Sequence, residues 1–104
     1  MNYIFCIMNL DSKIIQWGRE KGITNPDKQT IKLLEECGEL AHEICRGRYH
    51  NELVLDALGD IQVVLIILAD ILGYDAEECK AYAYDVISKR KGASKDGCFI
   101  KSNE

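Results

Sequence analysis

The chain has 104 residues, a formal net charge of −4 and a pI near 5.2. That length suits one domain, large enough to own a core yet small enough to gain from self-association. The acidic balance argues against a general nucleic-acid or membrane-surface binder, which would carry a basic patch.

Residues 1–11 read as an N-terminal extension. "MNYIFCIMNL" is apolar, but it is short and lacks both a basic n-region and a small-residue cleavage site, so it fits neither a leader nor a span. A short helix is expected from Ser12 to Lys21, anchored by Ile14 and Trp17, with base stacking as the alternative role for Trp17. Asn25-Pro26 supplies an N-cap followed by proline at the first helical position, and opens a helix reaching Arg46, where Gly47 stops it. After "RYHN", a third helix runs from about Asn51 to Leu72, with Gly73 as its stop. Asp75 and Glu78 form a D-x-x-E start resembling a capping box, for a helix expected to reach Lys91 and close at Gly92. Residues 93–104 read as a tail, with a short extended piece at Cys98 to Lys101. Five cysteines without a CxxC pair argue against a closed disulfide framework, and reduced thiols suit a cytoplasmic location.

Four helices with short links predict an all-α, four-helix bundle-like domain whose second and third helices run antiparallel. The third is apolar around nearly its whole circumference, so it must be covered on all sides. A domain this small gains such cover by forming a homodimer or a dimer of dimers.

The expected buried stripe of the second helix is Leu33, Cys37, Leu40 and Ile44, widened by Leu34, Ala41 and Cys45. Glu36 borders it, Glu39 and Glu43 lie beyond on a strip shared with Lys32, and Glu35 is further round. Alone, that acidic run would be a solvated face. The third helix changes this, because Asp56 and Asp60 stand within its apolar sequence. At about 1.5 Å per residue, Glu39 and Glu36 lie roughly 12 and 16 Å before Gly47, and Asp60 roughly 13 Å beyond Asn51. Across an antiparallel pair these three carboxylates share a level, with Asp56 about one turn nearer the loop. Converging carboxylates repel unless their pKa values rise or a cation neutralises them, and an oxygen-only donor set suits Mg²⁺, with Mn²⁺ as substitute. His42 and His50 are placed as solvated residues.

These residues make the chain resemble the MazG-like family of all-α nucleoside triphosphate pyrophosphohydrolases. The family signature is EExxE on one helix and ExxD on the next. Here Glu35-Glu36-x-x-Glu39 is followed by "DALGD" ending in Asp60, then "LGYDAEEC", "YDVISKRKG" and "GCFIK". The likeness runs from about Ile14 to Lys101. It implies cleavage of a nucleoside triphosphate to a monophosphate and pyrophosphate, with Glu36, Glu39 and Asp60 holding Mg²⁺ and Glu35 as the base. One position departs: Ala57 stands where the family has glutamate, and the nearest acid, Asp56, is one residue earlier. Asp56 then acts through water, supports the ligands from behind, or marks a subgroup with altered metal geometry. Arg90, on the stripe of Cys79, Ala83, Val86 and Ile87, points inward toward phosphate or carboxylate if its helix extends that far; otherwise it serves the helix C-terminus. Lys32, Lys89 and Lys101 are further phosphate candidates. Two other readings stand beside the enzyme: a catalytically silent helical interaction protein, which Ala57 favours, and a pyrophosphatase acting on phosphoribosyl-ATP.

Overall fold

The structure is a computed structural model that describes residues 9–102; the rest of the expected N-terminal extension lies outside them. The elements are α1 (Leu10–Glu20), α2 (Pro26–Cys45), α3 (Glu52–Ile71), α4 (Ala76–Ser88), β1 (Gly92–Lys95) and β2 (Cys98–Lys101). Each helix starts at a side-chain cap. Asn9 accepts from Ser12 N, Asn25 from Lys28 N, Asn51 from Val54 N and Asp75 from Glu77 N, at 2.8 to 3.1 Å. Each cap satisfies a backbone donor that the first helical turn would otherwise leave open. At the other end, α1, α2 and α3 stop alike. A glycine with positive φ (Gly22, Gly47, Gly73) follows, and the next residue's N–H reaches back to Gly18, Glu43 or Ala69 O. This is the Schellman closure, and it makes the links short and defined.

Helices α1, α2 and α4 each pack on α3, and among the described residues they do not pack on one another. The expected all-α character and the central apolar helix are both present, but the bundle is open. Among the described residues, the four buried apolar side chains, Val54, Ala57, Val64 and Ile67, all belong to α3. The radius of gyration, 16.9 Å, exceeds the roughly 13 Å of a compact domain of this length. Among the described residues, no helix is long and apolar enough to cross a membrane.

The face of α2 that meets α3 differs from the expected stripe. It consists of Gln29, Leu33, Glu36, Leu40 and Glu43, with the three polar residues at seven-residue intervals and buried, while Cys37, Leu34, Ala41, Ile44 and Cys45 face outward. The seam follows the 3.5-residue repeat of two helices wound against each other. Gln29 Nε2 donates to the Val64 carbonyl at 3.4 Å, which accounts for one of the buried polar groups.

Helix α1 is held differently from its expected anchor. Trp17 is 48% exposed, and Gly18 is the buried residue, so close to Ile67 that an added Cβ would lie 3.1 Å from its Cγ1. Arg19 completes the attachment with two hydrogen bonds to Asp70, 2.9 and 2.6 Å long.

Two corrections concern the C-terminal part. Helix α4 ends at Ser88, so the condition for an inward Arg90 is not met: Arg90 lies beyond the helix and is exposed. The extended piece expected at Cys98 to Lys101 is β2, but the part of the expected tail before it joins it in an antiparallel hairpin, with Gly92 paired to Lys101 and Lys95 to Cys98. Asp96 and Gly97 both have positive φ, the requirement of a two-residue type I′ turn. Gly92 serves this hairpin rather than closing α4, because a Cβ there would collide with the Ile100 carbonyl and the Phe99 ring.

Candidate functional site

Three aspartates stand on α3 between residues 56 and 70, and the fold treats them differently. Asp70 has a guanidinium: the Arg19 hydrogen bonds hold its carboxyl below the ordinary range. Asp60 has no such partner among the described residues. Desolvation raises its pKa, and the negative charges of Asp56 and Glu36 raise it further. The α2–α3 pairing therefore brings Glu36 close to Asp60, as the shared height of these two residues predicts, and Asp56, one turn nearer the loop, adds its charge to that of Glu36 at Asp60.

Glu36 is the central member. It is only 6% exposed, and its two oxygens have different surroundings. Oε1 has Lys32 Nζ at 3.4 Å, an (i, i+4) neighbour whose Nζ is also 3.7 Å from Glu35 Oε2. Oε2 is buried and has no hydrogen-bond partner among the described residues. A buried carboxylate oxygen left unsatisfied costs about 1–3 kcal/mol or more, and one beside two other acids calls for a cation.

Two grooves flank this cluster. One, about 770 Å³, lies between α1 and α3 and includes Asp11, Ile14, Asp56, Gly59, Asp60 and Val63. The other, about 610 Å³, lies between α2 and α3 and includes Glu35, Gly38, Glu39, His42, Asp56 and Ala57. Asp56 borders both. Glu35 and Glu39 therefore face one groove and Asp60 the other, with Glu36 enclosed in the helix seam. Among the described residues, no three acid, histidine or cysteine side chains are gathered tightly enough to enclose an ion as they stand. Gly38 and Gly59 each line a groove, and an added Cβ at either would meet nothing within 4 Å. A mid-helix glycine costs roughly 0.5–1 kcal/mol relative to alanine, so neither is explained by packing within this chain.

Ala57, at the departure from the family signature, is 4% exposed and lines the second groove. Of the phosphate candidates, Lys32 is at the cluster. Lys89 pairs with Asp85 at 3.3 Å, and neither it, Arg90 nor Trp17 lines either groove. His42 is exposed, as expected, with its Nδ1 3.1 Å from Arg46 Nη1.

Sequence reasoning placed Glu43 outside the buried stripe, but it is a buried structural acid. Arg48 donates to both its oxygens at 2.9 Å, and Asn51, the cap of α3, adds a third bond at 3.3 Å. The Arg48 hydrogen bonds are the main reason that its pKa falls to about 2. The signal in sequence was an acid one turn before a helix stop, followed by an arginine just after the glycine. Because the folded state lowers this pKa from 4.5, it binds fewer protons than the unfolded chain between those values. The stabilisation is therefore complete above about pH 4.5 and is lost as the pH falls toward 2. Glu43→Gln is expected to lower the melting temperature at neutral pH and to flatten the acid side of the stability profile, as measured by circular dichroism between pH 2 and 6.

Comparison with known proteins gives little beyond this geometry. No protein family's profile and no solved structure matches the chain. It is similar to an uncharacterized 18.2 kDa protein from the rep-hol intergenic region of Haemophilus phage HP1 (strain HP1c1), 35% identical over 66 residues. That match covers 61% of this chain and 39% of the phage protein's length.

Proposed function

We propose that the protein is a Mg²⁺-dependent nucleoside triphosphate pyrophosphohydrolase of the MazG-like type, with Mn²⁺ as a substitute ion. The observation that carries this reading is the buried Oε2 of Glu36, without a partner among the described residues, beside Asp60, whose pKa is raised by desolvation and then by its acidic neighbours. A chain keeps such an arrangement against its own stability when a ligand completes it. The donor set is all oxygen, which fits a hard divalent ion.

Glu36, Asp60 and Asp56 would hold the ion, with Glu39 joining from the second groove. When bound, the ion would polarise phosphate oxygens and lower the pKa of water. The chain's own part is orientation and proton transfer. The Glu43–Arg48–Asn51 clamp fixes where α2 stands against α3, and hence the height of Glu36 relative to Asp60. Glu35, exposed at the lip of the second groove, would accept a proton from an attacking water. Lys32, beside Glu36, would meet a phosphate oxygen. The open grooves leave room for a substrate of nucleotide size.

Self-association belongs to the same proposal. The outward stripe of α2 and the exposed Leu65, Leu72, Tyr82, Val86 and Ile87 of α3 and α4 leave a large apolar surface beside a small core. A homodimer or a dimer of dimers would cover it and make the melting temperature depend on protein concentration. Sedimentation velocity is expected to show the dimer or tetramer at micromolar concentration, with Leu65→Glu/Leu72→Glu shifting it toward smaller species. A stable wild-type monomer contradicts this.

The test of function is pyrophosphate release from a panel of canonical and modified nucleoside triphosphates, with and without Mg²⁺ or Mn²⁺. Release that is lost in Glu39→Gln and Asp60→Asn with folding intact supports the enzyme. Ala57 favours the second reading, an interaction protein of the same fold, and metal binding without release from any nucleotide would establish that one. Phosphoribosyl-ATP belongs on the panel as the third substrate class.

A further inference from the structure

Among the described residues, three ion-paired carboxylates have side chains less than one-fifth exposed, Asp70, Glu36 and Glu43, and one of these three pairings is unlike the others. Arg19 and Arg48 grip Asp70 and Glu43 through two hydrogen bonds each, at 2.6 to 2.9 Å. Lys32 stands 3.4 Å from a single oxygen of Glu36 and 3.7 Å from Glu35, longer than the roughly 2.7–2.9 Å of a well-formed charge-assisted bond. Its side chain is 54% exposed, while that of Glu36 is 8% exposed. Lysine precedes glutamate in this (i, i+4) pair, which is the weaker of the two orders on a helix. The ammonium is also a point charge on a flexible stem, without the guanidinium's rigid fork. The pairing is thus built loosely at the one carboxylate whose second oxygen is buried and unpartnered.

We propose that Lys32 is a resident counter-ion for Glu36, which a divalent cation displaces and which then binds an anionic phosphate oxygen of the ligand. The inference rests on the reading that Glu36 and Asp60 hold a divalent ion, and it adds an exchange of partners at Lys32. Before loading, the ammonium offsets part of the acid repulsion from the exposed side. A divalent ion brings two charges to the same oxygens and repels the ammonium. Released at the lip of the site, the ammonium can reach a phosphate without crossing the protein.

The exchange gives two binding measurements opposite signs. Lys32→Met keeps the length of the stem and removes the charge. Mn²⁺ binding followed by electron paramagnetic resonance is expected to tighten about 3- to 10-fold in Lys32→Met, because the ion no longer competes with the ammonium. Tripolyphosphate binding in the presence of saturating Mn²⁺ is expected to weaken by a similar factor, because its partner is gone. Lys32→Arg, with a stronger grip on Glu36, is expected to bind Mn²⁺ more weakly than the wild type. Circular dichroism establishes that each variant is folded, and Lys32→Gln serves as a second neutral variant. A Lys32→Met protein that binds Mn²⁺ as the wild type does, or that loses affinity for both probes, overturns the exchange while leaving the metal site standing. A wild type that binds no Mn²⁺ overturns the site itself and the exchange with it.

Discussion

Asp60→Asn and Glu36→Gln are expected to give proteins that melt at a higher temperature than the ion-free wild type and release no measurable pyrophosphate. The first effect follows from the repulsion among Glu36, Asp56 and Asp60: either amide removes one negative charge from a desolvated cluster and keeps the shape of the side chain. For Asp60 the pH dependence has a definite sign. Its folded pKa lies above the ordinary 3.8, so the folded state binds more protons than the unfolded chain above that pH. The contribution of Asp60 is therefore fully present below about pH 4 and is lost as the pH rises through its raised pKa. Asp60→Asn removes that loss. Asp60→Asn should gain the most over the wild type at neutral pH and the least at pH 3, as measured by thermal melts across that range in EDTA. The second effect follows from the proposed role. Loss of about 3 kcal/mol of transition-state stabilisation corresponds to a turnover lower by about 100-fold or more. Added Mg²⁺ should raise the melting temperature of the wild type and leave these variants little changed. A fall in stability without EDTA dependence would mean that the carboxylates serve packing instead.

Ile67→Ala is expected to cost about 2–5 kcal/mol, a large share of the 5–15 kcal/mol typical of a folded domain. Ile67 is 3% exposed, the most buried residue of the core, and its branched side chain fills the space against Gly18 of α1. Removing it leaves a cavity at the attachment of α1, while the Arg19–Asp70 ion pair stays in place. Equilibrium urea unfolding should show a lower midpoint, and α1 amides should exchange with solvent faster than those of α2. The reciprocal change tests the same fit. Gly18→Leu would push α1 away, and Gly18→Leu/Ile67→Ala should be less destabilised than the sum of the two single variants, since they share one space.

The helix boundaries were legible because they rest on local chemistry. Asn25-Pro26 and Asp75 cap where expected, Asn51 caps the helix expected to start there, and Gly47 and Gly73 close their helices as expected through φ values that other residues rarely adopt, whereas the end of α4 was placed too late. The proximity of Glu36 to Asp60 was also legible, since it follows from rise per residue and an antiparallel turn. The buried face of α2 was not. A search for the most apolar stripe selects Cys37 and Ile44, whereas the partner helix selects the seven-residue series through Gln29, Glu36 and Glu43, and the apolar stripe is left on the outside. Nor was the division of the acids between two grooves legible, because Asp56 and Asp60 lie one turn apart and only the position of α1 decides what opens beside them. The hairpin was signalled by Asp96-Gly97, a dipeptide that favours the tight turn, but that signal was hidden within a segment read as tail. Gly92 resembled a helix stop for the same reason, although its missing Cβ serves the strand pair.

The regular spacing of polar residues along the α2 seam carries a hazard of its own. A slip of seven residues, about 10.5 Å along the axis, would put Gln29 or Glu43 opposite Asp60 and leave the character of the seam almost unchanged. The lock against such slippage lies at the link between α2 and α3, where Glu43 is tied to both the linker and the start of the returning helix. The alignment of the acids is thus calibrated about two turns away from them, and an inserted residue between Gly47 and Asn51 would detune it without altering any acid.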